Sequence, residues 1–187
     1  MAVVRDVAVL VGSLRTESFT RKIALAMKGL APAELDLDIV EIRDLPMYDQ
    51  DLETETPPRD WVDFRKRIKR ADALLFATPE YNRSIPGCLK NAVDVGSRPS
   101  GRGVFSGKPG AIVSVTPHGL GGFGANHHLR QALVYVNVLA MAQPEAYVTQ
   151  AGDLVDEYFR ITKEESRQFF TTFLNAFAAW IEKVRTN

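Results

Sequence analysis

The chain of 187 residues is 45% hydrophobic and 25% charged, with 23 basic and 23 acidic side chains, an ordinary globular balance that excludes disorder and fits one domain over 1–187. A formal net charge of zero leaves no global field to draw in nucleic acid or an anionic membrane. The lone cysteine, Cys88, excludes an internal disulfide, and the apolar run VAVLVG at 7 to 12 is too short for a signal-peptide core or a membrane span, so a reducing, cytoplasmic setting is expected.

In chain order, VAVLVG (7 to 12), LDIVEI (37 to 42), ADALLFAT (71 to 78) and GAIVSVT (110 to 116) read as strands, with a fainter one in LAMAQPEAYV (139 to 148). The first, third and fourth are almost uniformly apolar, as strands covered on both faces of a parallel sheet must be. Between them, residues 19 to 30 put Ile23, Ala24, Met27 and Leu30 on one helical face, and 60 to 70 do the same with Trp61, Phe64 and Ile68. A third helix over 86 to 96 starts with Pro86 at its first turn, and a fourth over 122 to 137 carries Leu129, Leu133 and Val136. For the last helix, Thr162 and Glu165 form a capping box ahead of a stripe of Phe169, Phe173, Phe177, Trp180, Ile181 and Val184. The basic run RKRIKR at 65 to 70 reads as the solvated end of the second helix, because Ile68 belongs to the buried face.

Strand and helix alternating five times specify a doubly wound α/β domain with a five-stranded parallel sheet and helices on both faces. By analogy, the strand order is the flavodoxin-like 2-1-3-4-5, whose ligand site lies beyond the carboxyl ends of the first and third strands. After the first strand, GSLRTESFTRK supplies Ser13, Ser18 and Thr20 as hydroxyls and Arg15 and Arg21 as cations beside a helix start, the makings of a phosphate cup or, equally, of a plain helix cap. It is neither a Rossmann fingerprint nor a P-loop. The loop after the third strand, PEYNRSIPG, is stiffened by Pro79 and Pro86, and Tyr81 offers a flat face with Glu80 and Asn82 beside it, an inventory suited to a planar heterocycle. TPHGLGGFG (116 to 124) packs four glycines into nine residues, which permits close approach or simply a tight turn. No G-x-S-x-G elbow is present, the three histidines lack metal-ligand spacing, and Cys88 has no neighbour that would activate it.

Together GSLRTESFTRKIA, TPEYNRSIPGCLKNAVD and GKPGAIVSVTPHGLGG resemble, in order and spacing, the NADPH-dependent FMN reductase family, which includes bacterial quinone and chromate reductases and related azoreductases. The resemblance implies a flavodoxin-like homodimer or homotetramer with non-covalent FMN. It places the phosphate against Ser13, Arg15, Ser18, Thr20 and Arg21, and the isoalloxazine against Pro79, Glu80, Tyr81 and Asn82 with Ser84 nearby. The third loop, Thr116 to Gly122, approaches the ring or ribityl chain, with Thr116, His118, Gly119 and Gly121 as its binding residues. Thr20 stands where the family commonly has asparagine and Val95 where it has tryptophan. Arg83, Gly124 and His127 stand where some tetrameric members have an aromatic, an arginine and a tyrosine. The implied activity is ping-pong hydride transfer from NADPH, or NADH, through FMN to a small-molecule acceptor: a quinone, azo compound, metal oxyanion or free flavin. The alternative is a flavodoxin-like one-electron carrier or a flavin-binding sensor.

Overall fold

The computed structural model describes residues 3 to 185. Its elements are β1 (Arg5–Val11), α1 (Phe19–Leu30), β2 (Leu35–Val40), α2 (Arg59–Arg70), β3 (Ala73–Thr78), α3 (Gly87–Gly96), β4 (Pro109–Val115), α4 (Phe123–Tyr135), β5 (Leu139–Ala140), β6 (Ala146–Val148) and α5 (Glu164–Arg185). All pairings are parallel and the order is β2-β1-β3-β4-β5, with β6 also on β4, so the expected flavodoxin-like topology is present.

Period-two alternation divides the core between two faces. Val7, Val9 and Val11 of β1 and Leu75 and Ala77 of β3 meet Ile23 and Met27 of α1 and Phe173 and Phe177 of α5. Ala8, Leu10, Leu74 and Phe76 point the other way, onto Trp61 and Ile68 of α2, Leu89 of α3 and Leu129 of α4. The central strands are inaccessible throughout, which explains why they read as unbroken apolar runs.

Four local expectations need correction. The fifth strand is two short pieces, β5 opposite Pro109–Gly110 and β6 opposite Val113–Val115. Between them Pro144 has no N–H to give a ladder. The capping box before α5 is not formed: the Thr162 hydroxyl donates to the Asp153 carbonyl at 3.0 Å, and its N–H donates to Leu154. The buried stripe of α5 runs through Phe170, Phe173, Leu174, Phe177 and Ile181, while Phe169 is 38% exposed. Pro86 is the N-cap of α3, one position ahead of where it was expected to lie.

The RKRIKR segment is more engaged than a solvated helix end. Arg67 forms a fork with Asp6 at 2.7 and 3.0 Å and reaches Asp38, and Arg65 pairs with Glu53 at 2.6 Å. These contacts tie α2 to β1, β2 and the preceding connection.

Candidate functional site

The loops after β1, β3 and β4 converge on a cavity of about 510 Å³ beyond the carboxyl ends of the strands, within the roughly 300–1,000 Å³ typical of small-molecule sites. Ser13, Arg15, Ser18, Phe19 and Thr20 line one side, Pro79, Glu80, Tyr81 and Arg83 a second, and Val115, Thr116, Pro117, His118, Leu120 and Gly122 a third.

The first wall is rich in unused hydrogen-bonding capacity. Ser13 and Thr20 are only 8% and 3% exposed, yet their hydroxyls have no hydrogen-bond partner among the described residues. Neither oxygen is sealed from solvent, because no fully buried side-chain polar atom among the described residues lacks a partner, so the exposed remainder faces the cavity they line. The backbone N–H groups from Ser13 through Thr20 likewise have no acceptor among the described residues. Ser18 differs, since its Oγ accepts the Arg21 N–H at 3.1 Å and caps α1. Its own hydroxyl proton is still free to donate. The arrangement is an anion cradle: a helix N-terminus, orphan N–H groups and small hydroxyls, with the Arg15 guanidinium exposed at its rim.

The second wall is a tight hairpin. Tyr81 and Ser84 exchange backbone hydrogen bonds at 2.9 and 3.0 Å, and Asn82 and Arg83 between them have φ of 52° and 65°. Positive φ at both central positions marks a type I′ turn, natural for asparagine and strained for arginine. The turn leaves Tyr81 half exposed on the cavity and carries Asn82 away from its lining.

Glu80 fixes this hairpin to the third wall. Its carboxylate, 10% exposed, accepts the Ala125 N–H at 3.1 Å and the Arg83 guanidinium at 2.9 Å. Ala125 is the third residue of α4, whose N-cap is Gly122 with φ of 73° and no side-chain cap of its own. Glu80 therefore caps a helix 45 residues away in sequence and complements its dipole. That clasp was invisible in the sequence, because nothing in the local pattern joins residue 80 to residue 125.

In the third wall, Thr116 bonds the carbonyl and N–H of His118 at 2.9 and 3.3 Å, a local turn that holds His118 at the cavity. The N–H groups of Glu80, Asn82 and Gly119 through Gly122 have no acceptor among the described residues. Of these, Glu80, Leu120 and Gly122 line the side of the cavity opposite the cradle and are spare donors there. Beneath them, Gly121 is buried, with its carbonyl accepting from Ser114 Oγ at 2.6 Å, and a β-carbon there would lie 2.8 Å from that of Tyr147. Burial and Glu145 push the Tyr147 phenol up to about 12.

Of the residues expected to form the site, Arg21, Asn82, Ser84, Gly119 and Gly121 stand outside the lining. Arg21 turns to Glu41, Ser84 is hydrogen-bonded to His128 Nδ1 at 2.7 Å, and Gly119 is an exposed loop residue. Sequence reasoning missed Phe19 and Val115 as lining, and the buried Asn91, whose amide holds the carbonyls of Leu45 and Pro46 and the N–H of Tyr48. Cys88 is partly buried, and burial pushes its thiol up, away from thiolate reactivity.

Comparison with known proteins gives one consistent answer. A quinone reductase of Pseudomonas putida is 53% identical over 182 residues, covering 97% of each chain, and a 2-hydroxy-1,4-benzoquinone reductase of a Burkholderia species is 42% identical over 179 residues, covering 96% of this chain and 97% of its own. The solved structure of FerB, a flavoenzyme NAD(P)H:(acceptor) oxidoreductase from Paracoccus denitrificans, superposes with a TM-score of 0.92 at 38% identity, covering 96% of this chain and 98% of that one. The family model described as NADPH-dependent FMN reductase matches residues 5–153, and the chain belongs to that family.

Proposed function

We propose that the chain is an NAD(P)H-dependent quinone reductase that holds FMN in this cavity. One observation carries the reading: a cradle of two nearly buried hydroxyls and a run of N–H groups, all without partners, stands opposite a wall of spare N–H donors. An anion at one end and a hydrogen-bonding heterocycle at the other satisfy both. Ser13, Thr20, the Ser18 hydroxyl and the N–H groups of residues 13 to 20 would hold the phosphate, with Arg15 adding charge at the rim. Pro79, Tyr81 and the N–H groups of Glu80, Leu120 and Gly122 would hold the ring.

FMN, when bound, supplies the two-electron chemistry between a nicotinamide and the acceptor. The chain's part is positional. Its fixed N–H donors face the region where negative charge grows and need no reorganisation as it does. The hairpin and the 116 to 122 loop enclose the space in which both planar substrates stack. Because donor and acceptor share that space, they bind in turn, and double-reciprocal plots run parallel; intersecting lines would refute the order. Relatives named for quinones make a quinone the favoured acceptor, ahead of azo compounds, metal oxyanions and free flavin. Exposed Phe123, Val134 and Tyr135 on α4 support at least a homodimer, which a monomeric sedimentation profile at micromolar concentration would overturn.

The deciding experiment is to load the protein with FMN, desalt it, and add NADPH without oxygen. Retained flavin that bleaches and recovers on adding a benzoquinone is the expected result. Retained flavin that stays oxidised would make the chain a carrier or sensor, and loss of flavin on desalting would remove the site assignment.

A further inference from the structure

A second cavity of about 320 Å³ lies on the other side of the 12 to 18 loop, at the ends of β1 and β2. Ser13 and Arg15 line both cavities, so an anion in the second sits one loop away from the cradle in the first. In a chain with no net charge, this cavity gathers three guanidinium groups, Arg15, Arg21 and Arg43, against a single carboxylate, Glu41.

The arginines are held but not used up. Both terminal nitrogens of Arg21 meet Glu41, which fixes the plane of the group and leaves its Nε–H unspent. Arg43 commits one terminal nitrogen to the Leu14 carbonyl, and Arg15 makes no hydrogen bond or ion pair among the described residues. A guanidinium has five N–H groups, so most of the donors in this cavity are available, in the planar forks that match phosphate oxygens.

We propose that this cavity receives the adenosine 2′-phosphate of NADPH, an inference that rests on the FMN site argued above. FMN brings one phosphate, and the hydroxyls and N–H groups of the first cavity serve it without help from β2. The nicotinamide donor brings its own phosphates to the same face of the sheet, where they meet the repulsion of the first. Cations set between and beyond the two positions offset that repulsion. NADPH differs from NADH by the 2′-phosphate alone, so a three-arginine cavity here makes the chain discriminate between them. Arg21, expected from sequence to hold the flavin phosphate, is thereby reassigned to the donor.

The test is calorimetric titration of FMN-saturated protein with adenosine 2′,5′-bisphosphate, 5′-AMP and inorganic phosphate, for the wild type, Arg43→Gln and Arg43→Lys. The wild type is expected to bind the bisphosphate about tenfold or more tightly than 5′-AMP, with Arg43→Gln losing most of that margin and Arg43→Lys keeping part of it. The ratio of kcat/KM for NADPH over NADH falls in the same order. Equal binding of bisphosphate and 5′-AMP by the wild type overturns the proposal, as does an unchanged margin in Arg43→Gln. Inorganic phosphate binding as tightly as the bisphosphate also overturns it, by making the cavity a general phosphate site. Wild-type protein that fails to retain FMN sinks the parent reading instead, and the same three titrations on that protein then decide the arginine cavity by themselves.

Discussion

The loop after β1 and the loops after β3 and β4 border one cavity but use their hydrogen bonds in opposite ways. From Ser13 to Thr20 the chain leaves its N–H groups and three of its four hydroxyls without partners among the described residues. Across the cavity the side chains are spent on one another: Glu80 on Ala125 and Arg83, Ser84 on His128, Thr116 on its own turn. Native proteins seldom leave polar groups near the interior unmatched. Unspent side-chain capacity on one wall therefore marks where side chains hold a ligand, and spent side-chain capacity on the other marks a scaffold that leaves only its backbone N–H groups for one. The contrast predicts that substitutions on the first wall change ligand affinity and those on the second change stability.

The largest effect is expected at Gly121, where φ is +59° and an added β-carbon would press on the Tyr147 backbone at 3.0 Å. Gly121→Ala combines a left-handed backbone with overpacking and should cost roughly 2–5 kcal/mol in chemical denaturation. On the opposite wall, Ser13→Ala and Thr20→Val should each weaken FMN binding by roughly 10- to 100-fold, the worth of a hydrogen bond to a charged group. Their effect on the FMN-free protein should stay within about 0.5 kcal/mol, because no internal bond is lost. A melting temperature that drops sharply in either variant would break the contrast. Glu80→Ala should do the reverse, destabilising by about 1–3 kcal/mol as the Ala125 N–H and the α4 terminus lose their partner. Glu80→Gln, which keeps an acceptor but not the charge, should recover part of that loss.

How much of this the sequence disclosed follows the range of each interaction. The buried strands and α1 were legible because their signals are local: unbroken apolar runs and a 3.6-residue stripe. The residues of the cradle were legible too, since Ser13, Ser18 and Thr20 lie within one short loop at a helix start. What was hidden depends on distance or direction. The Glu80 clasp joins elements 45 residues apart, and Arg21 could be placed near the cradle but not oriented, because its partner Glu41 sits at the end of a different strand. On α5, Phe169 and Phe170 are adjacent in sequence and a rotation of the stripe exchanges them. Asn82 was read for its amide, whereas the turn uses its tolerance of positive φ.

Within the cradle, Ser18 is the exception that sharpens the rule, being the one hydroxyl there with an internal bond. Ser18→Ala should destabilise the FMN-free protein by about 1 kcal/mol, the usual worth of an N-cap, where Ser13→Ala does not.

The smallest effect is expected at Arg83, where two terms oppose. With φ at 65°, Arg83→Gly relieves the left-handed strain, about 1 kcal/mol or somewhat more. The same change adds freedom to the unfolded chain, costing about 0.4–1 kcal/mol, and removes the pair with Glu80. Arg83 is 74% exposed at its side chain, so that pair is worth about 0–1 kcal/mol. The net change should lie within about 0.5 kcal/mol of zero. Arg83→Val loses the same pair without gaining the conformational relief, since a β-branched residue is poorly suited to positive φ, and should be clearly less stable than Arg83→Gly. If the two variants melt together, the turn is not holding its left-handed geometry in solution. If Arg83→Gly alone loses more than about 1 kcal/mol, the guanidinium is doing more for Glu80 than an exposed ion pair can, and the clasp on α4 has three members instead of two.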